Sequence, residues 1–350
     1  MHDIHLRGMR ESYWRWVRLV FGAAAIALLT VRIGAVAQIN GAGATFPFPI
    51  YSKWFAEYSR LRPDVRINYQ SLGSGAGIRQ LINGTVFFGA SDAPMSVDQL
   101  ATAPGTILQL PTVIGGVVPI YNLPLSPLTF SGPVLADIYL GRITRWNDPA
   151  LVRLNPGIDL PATEITVVHR AEGSGTTYIW VDYLSKVSPE FQHTVGVGPA
   201  VRWPTGIGGR GNEGVAGVVK QIRGSIGYVE LVVATQTGLP YAAVVNASGE
   251  AVKATTETMT AAAAGFVARM PANFQMSITN ASGRGVYPVA SFTWLLLYEA
   301  PHDVAQSKVM VDFMKWALTD GQRFAPPLGY APLPDGLVKL ELQALTRIQT

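Results

Sequence analysis

The sequence predicts an α/β fold, because short apolar strands and helical segments alternate along most of its 350 residues. Hydrophobic residues make up 48% of the chain and charged residues only 14%, a balance typical of a packed globular protein and not of a disordered one. Cysteine is absent, which excludes disulfides, thiol nucleophiles, cysteine metal sites and the lipid anchor that bacterial lipoproteins attach to cysteine.

Apolar runs and helix start signals predict the order of the elements. The predicted strands are residues 64–69, 87–91, 107–113, 165–170, 225–230 and 291–299. The predicted helices are residues 50–60, 75–83, 133–140, 176–185, 257–270, 303–319 and 335–348. A glycine step follows the third strand at Gly115 and Gly116, and residues 205–214 read as a loop that holds five glycines.

No internal repeat or low-complexity linker divides the chain. We therefore expect a short hinge near residues 115–121 between two lobes that move as rigid bodies. The first lobe takes residues 38–115 together with 291–350, and the second takes residues 116–290.

Residues 1–37 have the layout of a cleaved secretory signal. A basic region precedes the apolar stretch 19–31, and Ala35-Val36-Ala37 offers a small-x-small cleavage site. The apolar stretch is shorter than the roughly 20 residues of a membrane span, so we expect a periplasmic protein without an anchor.

Charge does not favour a nucleic-acid partner. The formal net charge is +4, but residues 1–37 hold five arginines against two acids, which leaves +1 for the rest. The remaining Lys and Arg are scattered singly and form no basic stripe.

Three segments place glycines and hydroxyls where a helix begins: GAGATFP at 41–47, LGSGAG at 72–77 and HRAEGSGTT at 169–177. Helix N-termini offer unpaired N–H groups and a partial positive charge, so three converging turns could hold a tetrahedral oxyanion. Any one of them is more often a plain N-cap. Neither the third glycine of a dinucleotide motif nor the Gly-Lys-Ser/Thr of a P-loop is present in them.

Taken together, GAGATFP, FGASDAP, LPTVIGGVV, DIYLGRI and EGSGT stand in one order along the chain. In this order the chain resembles the periplasmic phosphate-binding proteins of bacterial phosphate-specific ABC transporters, over about residues 38–340. The resemblance implies a two-lobed, type II-like periplasmic binding protein with a ligand cleft between the lobes. It also implies high-affinity binding of hydrogen phosphate or dihydrogen phosphate, and delivery to the permease subunits and, through them, to the ATPase.

The resemblance also implies the ligand set. Four matching positions lie in the first lobe and four in the second: Thr45, Phe46, Ser74 and Asp92, then Arg170, Ser174, Gly175 and Thr176. Arg170 is the fixed positive charge of this set, and the hydroxyls and backbone N–H groups donate hydrogen bonds. An ionised Asp92 can only accept, which suits an anion that still carries a proton, so we expect phosphate to be favoured over sulfate.

Two positions depart from the family pattern. Glu172 stands where the family commonly has Asp, and we expect it still to orient Arg170. Phe87 replaces a commonly acidic residue, and we expect it to affect only lobe packing or surface charge.

Other functions have little support. An enzyme using Ser74 or Ser174 as nucleophile lacks both the Gly-x-Ser-x-Gly motif and an evident His–Asp pair, so we expect no catalysis. The five histidines share no ligand spacing, and we expect no metal and no cofactor. A phosphate sensor or adhesin with the same cleft stays open as an alternative. We expect a monomer.

Overall fold

The computed structural model describes residues 37–125 and 127–350. The predicted signal segment lies outside the described residues except for Ala37, which opens the first strand and pairs with Val65. Residues Ala37–Thr350 form one compact unit. In the described ranges, no helix is both long and apolar enough to cross a lipid bilayer.

The elements follow one another as a mixed α/β chain. The strands are β1 (Ala37–Gly43), β2 (Val65–Ser71), β3 (Phe88–Ser91), β4 (Ile107–Tyr121), β5 (Thr129–Ser131), β6 (Thr166–Arg170), β7 (Ile207–Gly209), β8 (Ser225–Glu230), β9 (Ala243–Val245), β10 (Ala251–Val252) and β11 (Ala290–Tyr298). The α-helices are α1 (Phe48–Leu61), α2 (Ser74–Ile82), α3 (Val97–Thr102), α4 (Gly132–Tyr139), α5 (Pro149–Leu154), α6 (Gly175–Val187), α7 (Pro189–Thr194), α8 (Gly211–Gln221), α9 (Leu231–Thr237), α10 (Thr256–Ala264), α11 (Val304–Leu318) and α12 (Asp335–Ala344).

Eight strands form one sheet in the order β2-β1-β3-β11-β4-β8-β6-β7, and β10-β9-β5 form a second sheet. In the large sheet β1 is parallel to β2 and β3, and β6 is parallel to β7 and β8. Between these two parallel groups, β11 and β4 run antiparallel to their neighbours. The carboxyl ends of parallel strands share one edge, where loops can build a ligand site. Each parallel group therefore offers one such edge.

Strand β4 connects the two groups. Its residues 107–116 pair with β11, and its residues 117–121 pair with β8. All 15 of its residues are buried. A strand that is buried on both faces has a continuous apolar sequence. The first half of β4 could therefore be predicted from the sequence.

The break predicted after Val113 is wrong, because the strand continues through Gly115 and Gly116. These glycines make room for large neighbours and do not end the strand. A Cβ atom on Gly115 would lie 2.4 Å from the Phe46 ring, and one on Gly116 would lie 2.9 Å from the Met259 sulfur.

Most other predicted elements are present with shifted ends, and the strand predicted for 225–230 has the same bounds in the structure. The helix predicted for 257–270 ends at Ala264, where Gly265 lowers helix propensity. The loop predicted for 205–214 is wrong in part, since it contains β7 and the first turn of α8. Pairing of β7 with β6 supplies the order that its glycine-rich sequence does not suggest.

The C-terminal segment packs on the first parallel group. Trp54 of α1 is almost fully buried and donates its indole N–H to the Gly321 carbonyl at 2.7 Å. Ala331 forms an antiparallel bridge with Ile114 of β4. These contacts tie residues near the end of the chain to elements near its beginning.

Replacing Gly115 by Ala should lower the free energy of unfolding by about 1–3 kcal/mol, because the new methyl group would overlap the Phe46 ring. Urea unfolding would measure the change. The matched control is Gly217→Ala in α8, where no atom of the described residues outside the helix's own backbone lies within 4 Å of an added Cβ, and the change should stabilise the protein by up to about 1 kcal/mol. A Gly115→Ala variant as stable as the parent protein would contradict this packing.

Candidate anion-binding site

The residues expected to bind a ligand follow the carboxyl ends of the parallel strands. In the first group they come after β1, β2 and β3; in the second they end β6 or open α6. All eight are buried and lie in turns, at strand ends or at the start of a helix: Thr45, Phe46, Ser74, Asp92, Arg170, Ser174, Gly175 and Thr176.

Ser74 joins the two groups. Its hydroxyl oxygen accepts hydrogen bonds from the backbone N–H groups of Asp92 and Gly175, each at 3.1 Å. A Cβ atom on Gly175 would lie 2.5 Å from this oxygen and 2.6 Å from the Asp92 Cβ. The approach of the α6 turn to the α2 turn therefore requires glycine at position 175.

The hydroxyls differ in their relation to the helices. Ser174 is a true N-cap, because its side chain accepts from the Thr177 N–H at 3.1 Å. Ser74 is instead the first residue of α2, after Gly73 with φ 95°, and it caps nothing. Thr45 lies two residues before Pro47, which is the N-cap residue of α1. Of these three hydroxyls, Ser174 is therefore an N-cap, whereas those of Ser74 and Thr45 contact groups across the site.

Arg170 is held in one orientation at the end of β6. Its Nε donates to Glu172 Oε1 at 2.8 Å, its Nη2 donates to the same oxygen, and its Nη1 donates to Thr176 Oγ1 at 3.2 Å. Glu172 Oε1 also accepts from the Gly211 N–H at 3.1 Å. The expected orienting contact of Glu172 is confirmed, and it links Arg170 to the start of α8.

Phe87, the second departure from the family pattern, is buried just before β3. Its ring centroid lies 6.2 Å from that of His302. This position agrees with the packing role expected for it.

Asp92 lies in a dry environment directly after β3. Its Oδ1 accepts from Thr293 Oγ1 at 2.7 Å, and its Oδ2 has a long contact of 3.5 Å with Ser74 Oγ. Burial raises the pKa of Asp92 to about 7, although the Thr293 hydrogen bond, the Arg170 charge and Ser74 act against the rise. The carboxyl group therefore gains and loses its proton near neutral pH. The sequence alone had suggested a carboxylate that is always ionised.

Two contributors were missed by sequence reasoning. Asn212, the second residue of α8, is fully buried and donates its amide to Thr45 Oγ1 at 2.9 Å and to Thr176 Oγ1 at 3.4 Å. Thr293 lies in the middle of β11, far from any turn. Asn212 follows a parallel strand just as Ser74 does, and this position was the signal that could have found it. Thr293 had no comparable signal.

Phe46 differs from the polar site residues in its contacts. Its ring packs against Gly115 of β4, and its carbonyl accepts a hydrogen bond from the Tyr330 hydroxyl at 2.6 Å. Tyr330 belongs to the C-terminal segment, so this bond fixes the turn between β1 and α1 from the other end of the chain.

The raised pKa makes the stability of the protein fall as pH rises. The folded state keeps the Asp92 proton to about pH 7, whereas the unfolded chain releases it near pH 4, so the unfolded state binds fewer protons between these values. The free energy of unfolding should therefore drop across this window, by an amount of the order of 4 kcal/mol, and level off above pH 7.

Asp92→Asn should remove this part of the pH dependence. Urea unfolding from pH 4 to pH 8, in phosphate-free buffer, should show the variant gaining stability relative to the parent protein as pH rises. Glu341, whose pKa is raised by burial, contributes equally to both proteins and cancels in the difference, whereas the smaller effect of the Asp92 charge on the pKa of Glu230 is removed together with Asp92. Parallel curves for the two proteins would contradict the raised pKa.

Comparison with known proteins agrees with this fold. A model of the PBP superfamily domain matches residues 31–321 of this chain. Among solved structures, the high-affinity periplasmic phosphate-binding protein PfluDING, bound with phosphate, superposes with a TM-score of 0.69 at 21% identity. The superposition covers 88% of this chain and 93% of that one. The expected α/β architecture of a two-lobed periplasmic binding protein is thereby confirmed.

Curated relatives define the family more closely. The phosphate-binding protein PstS of Xylella fastidiosa (strain Temecula1) is 47% identical over 305 residues, which cover 86% of this chain and 83% of the relative. PstS of Pasteurella multocida (strain Pm70) is 44% identical over 331 residues, which cover 93% and 95%. These similarities also confirm the expectation of a binding protein rather than an enzyme. The chain belongs to the PBP superfamily and, within it, to the family of PstS phosphate-binding proteins.

Proposed function

We propose that this chain binds one inorganic phosphate ion in the periplasm and delivers it to the permease subunits of an ABC transporter, and through them to its ATPase. Family membership supports this role, as do the names of the PstS relatives and the phosphate bound to PfluDING. We propose further that the protein acts as a monomer and needs no cofactor.

The proposal rests on one observation: hydrogen-bond donors from both parallel groups lie close together in one buried site. Ser74 and Thr45 come from the first group, and Arg170, Ser174 and Thr176 come from the second. Nearly all of these groups can donate hydrogen bonds, and only one of them carries a full positive charge. Such a set suits an oxyanion that has lost its water and is held mainly by dipoles.

We assign the phosphate to the eight buried residues that the family resemblance picked out. The hydroxyls of Thr45, Ser74, Ser174 and Thr176 and the backbone N–H groups of Phe46, Gly175 and Thr176 would donate, Arg170 would supply charge, and Asp92 would accept. The Gly175 N–H is taken by Ser74 in this structure. Its donation to phosphate therefore requires the two turns to move slightly apart.

The same contacts support a division into lobes. We propose one lobe of residues 38–115 with 291–350 and a second of residues 116–290. β4 would pass from one to the other, since it changes partners between residues 116 and 117. A ligand held by both lobes binds the closed form better than the open form, and so shifts the population toward closure.

We propose that residues 1–37 are a cleaved export signal. The basic and apolar pattern of this segment supports the assignment, and the similar protein PfluDING is periplasmic. Ala37 already pairs within β1, so cleavage directly after it would leave the strand almost complete.

Asp92 would accept a hydrogen bond from the proton that phosphate carries and sulfate lacks. An ionised Asp92 accepts that proton, whereas sulfate would place two acceptors face to face in a site without water. Arg170 and Thr293 both favour the ionised form of this carboxyl group. Selectivity for phosphate over sulfate would then reside largely in one side chain.

Calorimetric titration of the mature protein, stripped of ligand by partial unfolding, tests the function. Phosphate should bind tightly in a one-to-one complex, and sulfate should give no heat. Gly175→Ala should abolish phosphate binding because its Cβ would collide with Asp92 and Ser74. Gly173→Ala is the matched control, since its Cβ would come no nearer than 3.5 Å to a neighbour and binding should persist. Binding of neither anion by the parent protein would refute the proposal.

Asp92→Asn should narrow the gap between phosphate and sulfate affinity by about tenfold or more, because an amide can donate to sulfate. In the parent protein, selectivity should also decrease as pH falls below about 7, where Asp92 gains a proton and becomes a donor. Competition titrations at several pH values measure both effects. An unchanged selectivity ratio in Asp92→Asn would show that Asp92 does not discriminate between the anions.

A further inference from the structure

Asn212 occupies a buried position between the two parallel groups. Its side-chain amide donates one hydrogen bond to Thr45 Oγ1 at 2.9 Å and another to Thr176 Oγ1 at 3.4 Å. Thr45 follows β1, in the first group, whereas Thr176 lies in α6, after β6 of the second. One amide therefore contacts a hydroxyl on either side of the site.

The orientation of this amide is determined by its third contact. Asn212 Oδ1 accepts a hydrogen bond from the backbone N–H of Glu230 at 3.2 Å. The reverse orientation would point the amino group at that N–H, donor against donor, so the amino group must face the threonines. The position of Asn212 is also fixed, because the preceding Gly211 has φ 71° and donates its N–H to Glu172.

Counting donors and acceptors then decides where the hydroxyl hydrogens point. A hydroxyl oxygen has two lone pairs and one hydrogen. Thr176 Oγ1 accepts from both Asn212 and Arg170 Nη1, which uses its two lone pairs, and Thr45 Oγ1 accepts from Asn212. Among the contacts of the described residues, neither threonine hydroxyl donates to a protein acceptor. Their hydrogens remain for the anion.

We infer that Asn212 is a positioning residue: it occupies one lone pair on each of the Thr45 and Thr176 hydroxyls, and so favours both hydroxyls as hydrogen-bond donors toward the anion. This inference rests on the proposed phosphate function. Without the amide, each hydroxyl could rotate and present a lone pair to the ligand. Asn212 thus favours an anion whose oxygens accept at these two positions, and it does so through the two hydroxyls.

Ser74 has a similar arrangement, in which protein N–H groups donate to a hydroxyl oxygen of the site. Its oxygen accepts from two backbone N–H groups, which uses its two lone pairs, and its own hydrogen makes only a long contact of 3.5 Å with Asp92 Oδ2. Ser74 obtains this arrangement from the backbone, whereas the two threonines obtain it from one side chain. The consequence is that Asn212 can be tested by substitution.

Asn212→Leu keeps the approximate size of the side chain and removes the amide. It should weaken phosphate binding about 10-fold to 100-fold by calorimetry. If Asn212→Leu does not fold, Asn212→Ala is measured in its place. Asn155→Leu is the matched control: Asn155 is also buried and donates to two carbonyls, Thr129 O and Leu151 O, so its loss should lower the unfolding midpoint and leave phosphate affinity unchanged.

A double-mutant cycle separates positioning from general packing. If Asn212 acts through Thr45, the Asn212→Leu change should cost much less affinity in a Thr45→Val background than in the parent protein. An equal loss in both backgrounds would overturn the inference.

The pH dependence gives a second readout that a structural role would not move. Dihydrogen phosphate can donate to a freed threonine oxygen, whereas hydrogen phosphate has fewer protons to offer. Relative to the parent protein, Asn212→Leu should therefore lose more phosphate affinity at mildly alkaline than at mildly acidic pH. If the parent protein binds phosphate, the role of Asn212 would be refuted by either of two results for Asn212→Leu: an equal loss of affinity at both pH values, or no loss of affinity. Failure of the parent protein to bind phosphate would instead refute the proposed function.

Discussion

The structure depends on one constraint: a buried polar site must satisfy its donors and acceptors with protein groups, because water is excluded from it. Ser74 meets this constraint by accepting from backbone N–H groups of both parallel groups of strands. The contact allows no side chain at Gly175 and places Asp92 where its carboxyl group is dehydrated. The chemistry of the site therefore follows from how closely two helix-opening turns can approach each other.

Charge is used sparingly around this contact. Arg170 is paired with Glu172, so much of its positive charge is already balanced within the protein. Two helix N-termini and several hydroxyls supply the rest of the attraction for an anion. A site built from dipoles can hold an anion firmly without attracting every anion in solution, because each donor must meet an acceptor in the right place.

The α/β order of the fold was predictable because its strands are either continuous apolar runs or clear alternations. The turns around Ser74 and Ser174 were also visible, since glycine and hydroxyls stand before an apolar helix. Their convergence was not, because it depends on a sheet whose strands come from distant parts of the chain. The resemblance to a known family supplied that missing step.

The sequence did not indicate which residues surround the site residues and change their chemistry. Thr293 lies inside a buried and mostly apolar strand, where threonine is an ordinary strand residue. The pKa of Asp92 depends on its burial in the folded protein and on a hydrogen bond from Thr293, 201 positions away, which no local pattern reports. Gly115 illustrates the reverse error, since a glycine that accommodates the Phe46 ring looked like the end of a strand.

The order of strands has a further consequence for how the chain is made. β11 lies between β3 and β4 in the sheet, yet its residues, Ala290–Tyr298, come almost 170 positions after the end of β4. During synthesis from the N-terminus, the early strands cannot complete their hydrogen bonding until that late segment has emerged from the ribosome. Such non-local pairing also folds slowly, since a long loop must close before the contacts form. The large sheet therefore stays incomplete until most of the chain has been made.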